Sequence, residues 1–249
     1  IMELQGKKVL VVGSGISGMG AIEALHQAGA VSFLFDGNDK LSVEDVRKKM
    51  KPGIEAQIEI GTLSEATSDA IDLVILSPGV PTDTEFVENF RRRGIKIWGE
   101  IELAYEMGKG RVIGITGTNG KTTTTTLVGE IMSACYADVD VVGNIGNPYT
   151  LTALDATQET VTVAEISSFQ LETVEQFKPD VSAILNITPD HLNRHHTMEN
   201  YAAAKEAVTR NQTKEQVCVL NYENAYTREI GARCPARVVW FSSKRKLAE

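Results

Sequence analysis

Short apolar runs alternate with longer helical patterns along most of this chain. The runs have the length and the continuous Val, Ile and Leu content of strands that are buried on both faces of a parallel sheet. Strands are predicted over residues 7–12, 31–35, 56–60, 71–76, 95–98, 112–115, 139–142, 161–164, 181–187, 217–220 and 238–241. Helices are predicted up to Ala28, over residues 43–50, 85–93 and 201–209, after Glu100 and from Leu127. This alternation predicts an α/β fold built on parallel sheets.

The first strand runs into a glycine-rich loop, Gly13-Ser-Gly15-Ile16-Ser17-Gly18, and then into a helix. The second strand ends at Asp36, where an acid can hold a ribose hydroxyl. Together these features form a dinucleotide-binding fingerprint, G-x-G-x-x-G followed by an acid. The residues alone would indicate a dinucleotide such as NAD, although glycines here can also serve only close packing of the helix on the strand.

A composition change near residue 99 divides the chain into two predicted domains, residues 1–99 and 100–249. The first ends with a short strand and contains the turn Ser77-Pro78-Gly79 at the end of an apolar strand. Loops at the carboxyl ends of parallel strands are where such sheets bind ligands. The first domain is therefore predicted to be Rossmann-like, and the second to resemble a P-loop ATPase.

The second predicted domain begins with a strand that leads into Gly117-Thr118-Asn119-Gly120-Lys121-Thr122-Thr123. Backbone N–H groups of such a loop can surround a phosphate, a lysine adds charge, and a threonine hydroxyl can ligate Mg²⁺. The usual spacing would place glycine at 115, where this chain has Ile115. The alternative is an ordinary glycine-rich turn between a strand and a helix.

The carboxyl ends of four strands in the second domain should lie along one sheet edge, which would bring their following loops together. The side chains collected there are Lys121, Thr122, Asn144, Glu165 and His191. An acid at the position of Glu165 is well placed to hold Mg²⁺ beside a phosphate loop. Considered singly, Lys205 would be a solvated helix lysine and His191 a hydrogen-bonded surface or core histidine, and the same holds for the other histidines, His26, His195 and His196.

Charge and composition narrow the partners. The net charge of −8 argues against nucleic acid and against an anionic membrane surface. The three cysteines are odd in number and lack metal-ligand spacing, so they are expected to be reduced packing residues. No membrane span or signal peptide is evident, so a cytoplasmic protein, expected to be a monomer, is predicted.

Five ordered motifs resemble those of the Mur ligase family, the ATP-dependent amide-forming enzymes of peptidoglycan synthesis. They are Gly117–Thr122, Gly143-Asn-Ile-Gly146, Glu165-Ile-Ser-Ser-Phe-Gln-Leu-Glu172, Asn186-Ile-Thr-Pro-Asp-His191 and Tyr201-Ala-Ala-Ala-Lys205. The likeness runs in register from about residue 4 to residue 222. The Ser-Ser-Phe-Gln string and the N-terminal glycine loop are similar to the branch of the family that adds D-glutamate.

The resemblance implies that the first domain binds the UDP part of a sugar nucleotide rather than NAD. Gly15, Ile16, Ser17 and Gly18 would hold its pyrophosphate, and Asp36 with Ser77, Pro78 and Gly79 would border the uridine. The implied substrates are UDP-N-acetylmuramoyl-L-alanine, D-glutamate and ATP, with Mg²⁺ as the cofactor.

The resemblance also implies roles in the second domain. Residues 117–123 would bind ATP, with Lys121 neutralising phosphate charge. Thr122 and Glu165 would hold one Mg²⁺, while His191 and a carbamylated Lys205 would serve a second. Asn144 would face the substrate carboxylate.

Two departures and two alternatives accompany this assignment. Asn193 stands where the family often has Asp, and the family's C-terminal domain, which binds D-glutamate, has no counterpart in the sequence. The 249-residue chain is therefore expected to bind nucleotides weakly and not to complete ligation. The alternatives are an NAD-binding Rossmann module fused to an NTPase switch, and a related ligase for another muramoyl peptide or for folate.

Overall fold

Strands and helices alternate as the hydrophobic pattern predicts, and the computed structural model describes residues 3–144 and 147–247. The strands are β1 (Lys8–Val12), β2 (Val31–Asp36), β3 (Gln57–Ile60), β4 (Leu73–Leu76), β5 (Lys96–Gly99), β6 (Arg111–Thr116), β7 (Val139–Gly143), β8 (Val161–Glu165), β9 (Val181–Ile184), β10 (Val217–Asn221) and β11 (Arg237–Phe241). The helices are α1 (Ile16–Gln27), α2 (Val43–Arg47), α3 (Glu65–Ala70), α4 (Glu85–Arg92), α5 (Glu100–Met107), α6 (Lys121–Ser133), α7 (Tyr149–Ala153), α8 (Ser168–Leu171), α9 (Leu192–His195), α10 (Met198–Glu206) and α11 (Ala225–Arg233). A 3₁₀ turn, Ala207–Thr209, follows α10.

The first compact unit comprises the described residues up to Met107, together with Pro148–Asp155. Its parallel sheet has the order β3-β2-β1-β4-β5, and Val9 of the central strand pairs with Ser32 on one side and Leu73 on the other. Apolar side chains are buried on both faces of this sheet, as a parallel sheet covered by helices requires. The alternation read from the sequence therefore gives the expected doubly covered sheet.

The second compact unit comprises Gly108–Asn147 and the described residues from Ala156 onwards. Its parallel sheet has the order β11-β10-β9-β6-β8-β7. The strand order reverses direction at β6, which lies between β8 and β9. Open α/β sheets bind ligands at such a switch point, beyond the carboxyl ends of the strands. The fold therefore places the loop after β6 where a ligand is expected.

The division of the chain differs from the boundary predicted near residue 99. Helix α5 belongs to the first unit because Ile101, Leu103 and Ala104 are buried and the helix packs against α1 and α7. Helix α7 also belongs to the first unit, although it lies between two strands of the second. Gly20 makes room for it, since a Cβ there would lie 2.9 Å from Thr150 Oγ1.

Several elements differ from the predicted bounds or were not predicted as helices, among them α6, β9 and α11. Helix α6 begins at Lys121 rather than Leu127, because Gly120 adopts a left-handed conformation (φ 81°) and starts the helix there. Strand β9 ends at Ile184 rather than residue 187, because Asn186 turns its polar groups to the neighbouring loop. Helix α11 was not predicted; the Asn224 side chain caps it by accepting from Thr227 N at 3.2 Å.

No helix among the described residues is long and apolar enough to cross a membrane.

Candidate active site

The loop between β6 and α6 has the geometry of an anion site. Gly117 (φ 151°) and Gly120 (φ 81°) both adopt conformations that favour glycine. The loop is fixed to Asn186, whose carbonyl accepts from Thr118 N at 2.9 Å and whose side chain accepts from Asn119 N at 2.8 Å. It opens directly into the N-terminus of α6, where positively polarised N–H groups favour an anion.

The side chains of this loop are disposed as a phosphate site requires. Lys121 Nζ donates to Thr118 O at 3.0 Å, and Thr122 and Thr123 are exposed on the first turn of α6. Ile115 explains the irregular spacing: it is 1% exposed and packs in the core beneath the loop, so a glycine there would leave a cavity.

Glu165 lies at the end of β8 with one carboxylate oxygen satisfied and the other available. Asn144 Nδ2 donates to Glu165 Oε1 at 2.9 Å, whereas the buried Oε2 has no hydrogen-bond partner among the described residues. Gly143 permits this approach, since a Cβ there would lie 2.2 Å from Glu165 O. A buried carboxylate oxygen without a partner is costly, and a cation would remove that cost.

Lys205 is a buried amine beside the phosphate loop. It is 1% exposed, its Nζ donates to Gly117 O at 2.9 Å, and it lies 4.6 Å from the centre of the Tyr201 ring. Burial and then the charge of Lys121 lower the pKa of Lys205 to about 7. A large fraction of the side chain is therefore neutral at neutral pH, and the neutral amine is the form that reacts with CO₂.

His191 sits before α9 in a left-handed conformation with φ 50°. Its ring is exposed, with Nε2 3.5 Å from Asp190 Oδ2 and the ring centre 4.9 Å from that of Phe169. No group of three or more His, Cys, Asp or Glu side chains converges on a metal position in the part of the chain that the structure describes. A Mg²⁺ ion here would need phosphate or water oxygens to complete its shell, which is its usual habit.

Sequence reasoning missed a buried network around His195, which it treated as an ordinary histidine. His195 Nε2 lies 2.9 Å from Ser168 Oγ, and Nδ1 lies 3.5 Å from Glu172 Oε1. Burial lowers the pKa of His195, with the charge of Glu172 opposing that effect. The Ser-Ser-Phe-Gln-Leu-Glu string was the only signal in the sequence that could have drawn attention to this network.

The glycine loop of the first unit is tight at both ends and open in the middle. A Cβ on Gly18 would lie 1.9 Å from Gly13 O, and one on Gly13 would lie 2.7 Å from Ser77 Oγ. Gly15 and Gly79 have no atom within 4 Å of an added Cβ. The open positions leave space beside the backbone for a ligand, as a phosphate-binding loop requires.

Asp36 accepts more hydrogen bonds from its own unit than the sequence indicated. Its Oδ2 accepts from Ser14 N at 2.8 Å and from Ser14 Oγ at 2.6 Å, and its Oδ1 accepts from Asn38 N at 3.0 Å. Burial acts to raise the pKa of Asp36, but these hydrogen bonds and Lys49 outweigh it and lower the pKa. Only Oδ1 has capacity left for a ribose hydroxyl.

An apolar cavity of about 470 Å³ opens beside this loop. Gly15 and Ile16 line it, and Ile16 is 80% exposed. Asp36, Ser17 and the Ser77-Pro78-Gly79 turn do not line it. Of the predicted substrate residues of the first unit, this cavity is therefore lined by Gly15 and Ile16.

Comparison with known proteins agrees with this geometry. The family model of the Mur ligase middle domain matches residues 115–249, and that of the MurD-like N-terminal domain of Mur ligases matches residues 7–99. The chain belongs to the Mur ligase family. These matches confirm the family that the five sequence motifs predicted. Mur ligases are ATP-dependent enzymes that form amide bonds.

Two curated Mur ligases illustrate the similarity. The UDP-N-acetylmuramoylalanine–D-glutamate ligase of Lachnoclostridium phytofermentans is 56% identical over 99% of this chain and 54% of its own length. The enzyme of the same name from Clostridioides difficile is 46% identical over 99% of this chain and 54% of its own. The chain thus spans about half the length of the curated relatives it matches.

Solved Mur ligase structures share the fold. The UDP-N-acetylmuramate:L-alanyl-gamma-D-glutamyl-meso-diaminopimelate ligase of Neisseria meningitides gives a TM-score of 0.61 at 15% identity, covering 95% of this chain and 78% of that one. The UDP-N-acetylmuramate-alanine ligase of Thermotoga maritima gives 0.56 at 23% identity, with 96% and 53% covered. The Thermotoga maritima MurF ligase, solved in complex with ADP, gives 0.51 at 19% identity, with 98% and 49% covered.

Proposed function

We propose that this chain supplies the nucleotide-binding parts of a ligase that adds D-glutamate to UDP-N-acetylmuramoyl-L-alanine at the expense of ATP. One observation carries the proposal: Lys121, Lys205 and the phosphate loop share direct contacts, since Lys121 donates to Thr118 O and Lys205 to Gly117 O. The names of the curated relatives support the amino-acid and sugar-nucleotide substrates.

The residues of the second unit suit phosphoryl transfer to a carboxylate. ATP would lie on residues 117–123, with Lys121 swinging from Thr118 O to the β- and γ-phosphates. The γ-phosphoryl group would pass to an oxygen of the alanine carboxylate, and ADP would leave. The amine of D-glutamate would then attack the acyl carbon, and phosphate would leave as the amide forms. Such transfers depend on positioning and on neutralising charge.

The donor set also fits Mg²⁺. The unpartnered Oε2 of Glu165 and the exposed hydroxyl of Thr122 would hold one ion, and His191 with a carbamylated Lys205 would hold a second. Bound there, Mg²⁺ supplies charge neutralisation at the phosphate oxygens. Asn144 keeps the Glu165 carboxylate turned by holding Oε1, which leaves Oε2 for the ion.

The first unit would hold the UDP part of the substrate. The open space at Gly15 and Gly79 suits a pyrophosphate beside the backbone, with Ile16, Ser17, Gly18, Asp36, Ser77 and Pro78 around it. A related ligase for a different amino acid shares this nucleotide chemistry, so the assay must vary the amino acid.

The test is a chimaera in which this chain replaces the matching half of the Lachnoclostridium phytofermentans ligase. Phosphate release and amide product are measured with UDP-N-acetylmuramoyl-L-alanine, ATP and one amino acid at a time. Product with D-glutamate is expected. Because the other half of the chimaera comes from the Lachnoclostridium phytofermentans ligase, this product tests the nucleotide and carboxylate chemistry of this chain, and the choice among amino acids reports the borrowed half. No product with any amino acid from a folded chimaera that binds ATP would overturn the proposal.

A further inference from the structure

Two histidines with positive φ flank the short helix α9, and His191 (ψ 30°) is the one in the left-handed helical region, since His196 has ψ −46°. His191 has φ 50° and His196 has φ 67°, and no other non-glycine residue with positive φ occurs in the described ranges. Residues other than glycine rarely adopt a positive φ, and they keep it only when the surrounding structure holds them there. Something must therefore hold α9 against that strain.

Glu172, at the C-terminus of α8, is that anchor. Its Oε2 accepts from Arg194 Nη2 at 2.6 Å, and its Oε1 lies 3.5 Å from His195 Nδ1. Both Glu172 and Arg194 side chains are 13% exposed, so water screens this pair little. One carboxylate thus engages two consecutive residues of α9.

His195 fastens the same helix to the other end of α8. Its Nε2 lies 2.9 Å from Ser168 Oγ, so Ser168 and Glu172 grip opposite nitrogens of one buried ring. With Nδ1–H directed to the carboxylate, Nε2 accepts from the Ser168 hydroxyl. The arrangement resembles a serine–histidine–acid row, but its burial keeps it from any substrate and leaves it an orienting role.

The Phe169 ring connects the anchored His195 to His191. Its ring stacks on His195 with centres 5.4 Å apart and planes at 29°, and its centre lies 4.9 Å from that of His191. The Arg194 guanidinium lies 5.0 Å from the same ring centre. Phe169 is therefore held by two residues that Glu172 anchors, and it forms the wall beside the exposed His191 ring.

We propose that Glu172, acting with Ser168 through His195 and Phe169, is a positioning residue that fixes the direction of the His191 side chain. The ligand role of His191 rests on the proposed function, but the orientation of its ring does not. An exposed imidazole would otherwise sample several rotamers, and a ligand that must be ordered on binding binds more weakly.

The experiment uses the whole 249-residue chain with isotope-labelled histidine and phenylalanine. Without metal, the nuclear Overhauser contact between the His191 and Phe169 rings reports the orientation. With ADP and Mn²⁺ as the probe, paramagnetic broadening of His191 relative to His26 reports ligation. Glu172→Gln should abolish the ring contact and weaken Mn²⁺ at His191 by about tenfold, the size expected for a residue that orients a ligand.

Glu223→Gln is the matched control. The Glu223 side chain is 12% exposed and pairs with Arg245 at 2.8 Å in the same unit, and its hydrogen bonds among the described residues go to Asn221, Ser242 and Arg245 rather than to α9. Glu223→Gln should leave both the ring contact and the Mn²⁺ broadening unchanged. A general loss of stability, in contrast, would change both signals in this control as well. If Glu172→Gln unfolds the chain, Ser168→Ala removes only the hydroxyl that holds His195 and should weaken the ring contact.

The outcomes separate the two proposals. If the wild-type chain shows the ring contact but Mn²⁺ does not broaden His191, the ligand role of His191 is wrong, and the positioning effect of Glu172 can still be measured. A ring contact that survives in folded Glu172→Gln, one that Ser168→Ala leaves as strong as in the wild type, or one that Glu223→Gln removes equally would overturn the positioning role.

Discussion

The two glycine loops of this chain look alike in sequence and differ in what surrounds them. Each follows a central strand and opens a helix, α1 in one unit and α6 in the other. In the first loop Asp36 accepts two hydrogen bonds from Ser14, and Lys49 donates to Ser14 O at 3.3 Å, so one acid and one lysine meet at the same residue. In the second, Lys121 and Lys205 both reach loop carbonyls, and Glu165 offers a free oxygen.

The difference separates holding a nucleotide from reacting with one. A bound diphosphate needs N–H groups and space, which the first loop provides at Gly15. Transfer of a phosphoryl group also needs cations placed where charge shifts during the reaction. The first loop has one lysine, Lys49, which donates to Ser14 O at 3.3 Å, whereas the second combines two lysines with a carboxylate oxygen that has no partner among the described residues. The strand–glycine–helix pattern alone therefore does not report function.

The largest effect is expected from removing the charges of the second loop. In the chimaera, Lys121→Ala or Glu165→Ala should lower phosphate release on the order of 10³-fold, because each removes electrostatic stabilisation of the transferring group. Thr126→Ala, on the same helix and exposed, is the control. Near-normal rates in either variant would remove that residue from its assigned role.

The next effect tests what the first loop binds. Gly15→Ala, in open space, should preserve folding but weaken UDP binding by about tenfold through a clash with phosphate. Gly18→Ala, whose Cβ would meet Gly13 O at 1.9 Å, should disturb the loop itself and lower the melting temperature. Titration calorimetry with UDP and NAD distinguishes the ligase hypothesis from its alternative. A preference for NAD without competition by UDP would favour an NAD-binding Rossmann module fused to an NTPase switch.

Lys205 distinguishes the second loop by its pH response. Its folded pKa, about 7, lies below its ordinary value, so the unfolded chain binds more protons between those values and stability should rise with pH across that window. Lys205→Met should flatten the rise and stabilise the CO₂-free chain below pH 7 by about 5 kcal/mol at most, the free-energy difference between a pKa of 10.5 and one of about 7. Denaturant unfolding at several pH values measures this.

The same lysine has a catalytic test. Lys205→Ala in the chimaera should lose ligase activity and regain part of it with added short carboxylates, which replace the carbamate oxygen. Failure of every carboxylate to restore activity, in a variant that still binds ATP, would count against a carbamate at this position.

The sequence predicted those features that follow from strand order. Lys121 follows β6 and Glu165 ends the adjacent parallel strand β8, so their placement at the same edge of the sheet could be predicted from apolar runs and the polar residues that follow them. The family resemblance added Lys205, whose isolated pattern resembles any helix lysine.

Features that depend on packing between distant residues could not be predicted. The burial that lowers the pKa of Lys205 arises from tertiary packing, and no local pattern encodes it. The same is true of His195, held between Ser168 and Glu172, and of α7, which packs in the first unit because Gly20 leaves room. Each depends on a contact that periodicity does not contain.

The smallest effect concerns Asp36, the acid that sets the first loop apart. Because hydrogen bonds lower its folded pKa, its contribution to stability is present above the unfolded pKa and is lost as pH falls through the folded value. Asp36→Asn keeps one acceptor for Ser14 and removes the charge, so it should cost about 1 kcal/mol at pH 7 and less at pH 3. Denaturant melts at both pH values test this, with Asp39→Asn on the same loop as the control. An equal loss at both pH values would mean that geometry rather than charge holds the loop.

The effect of Asp36→Asn on UDP affinity should also be slight, because Oδ2 already accepts from Ser14 and one position on Oδ1 remains for a ligand.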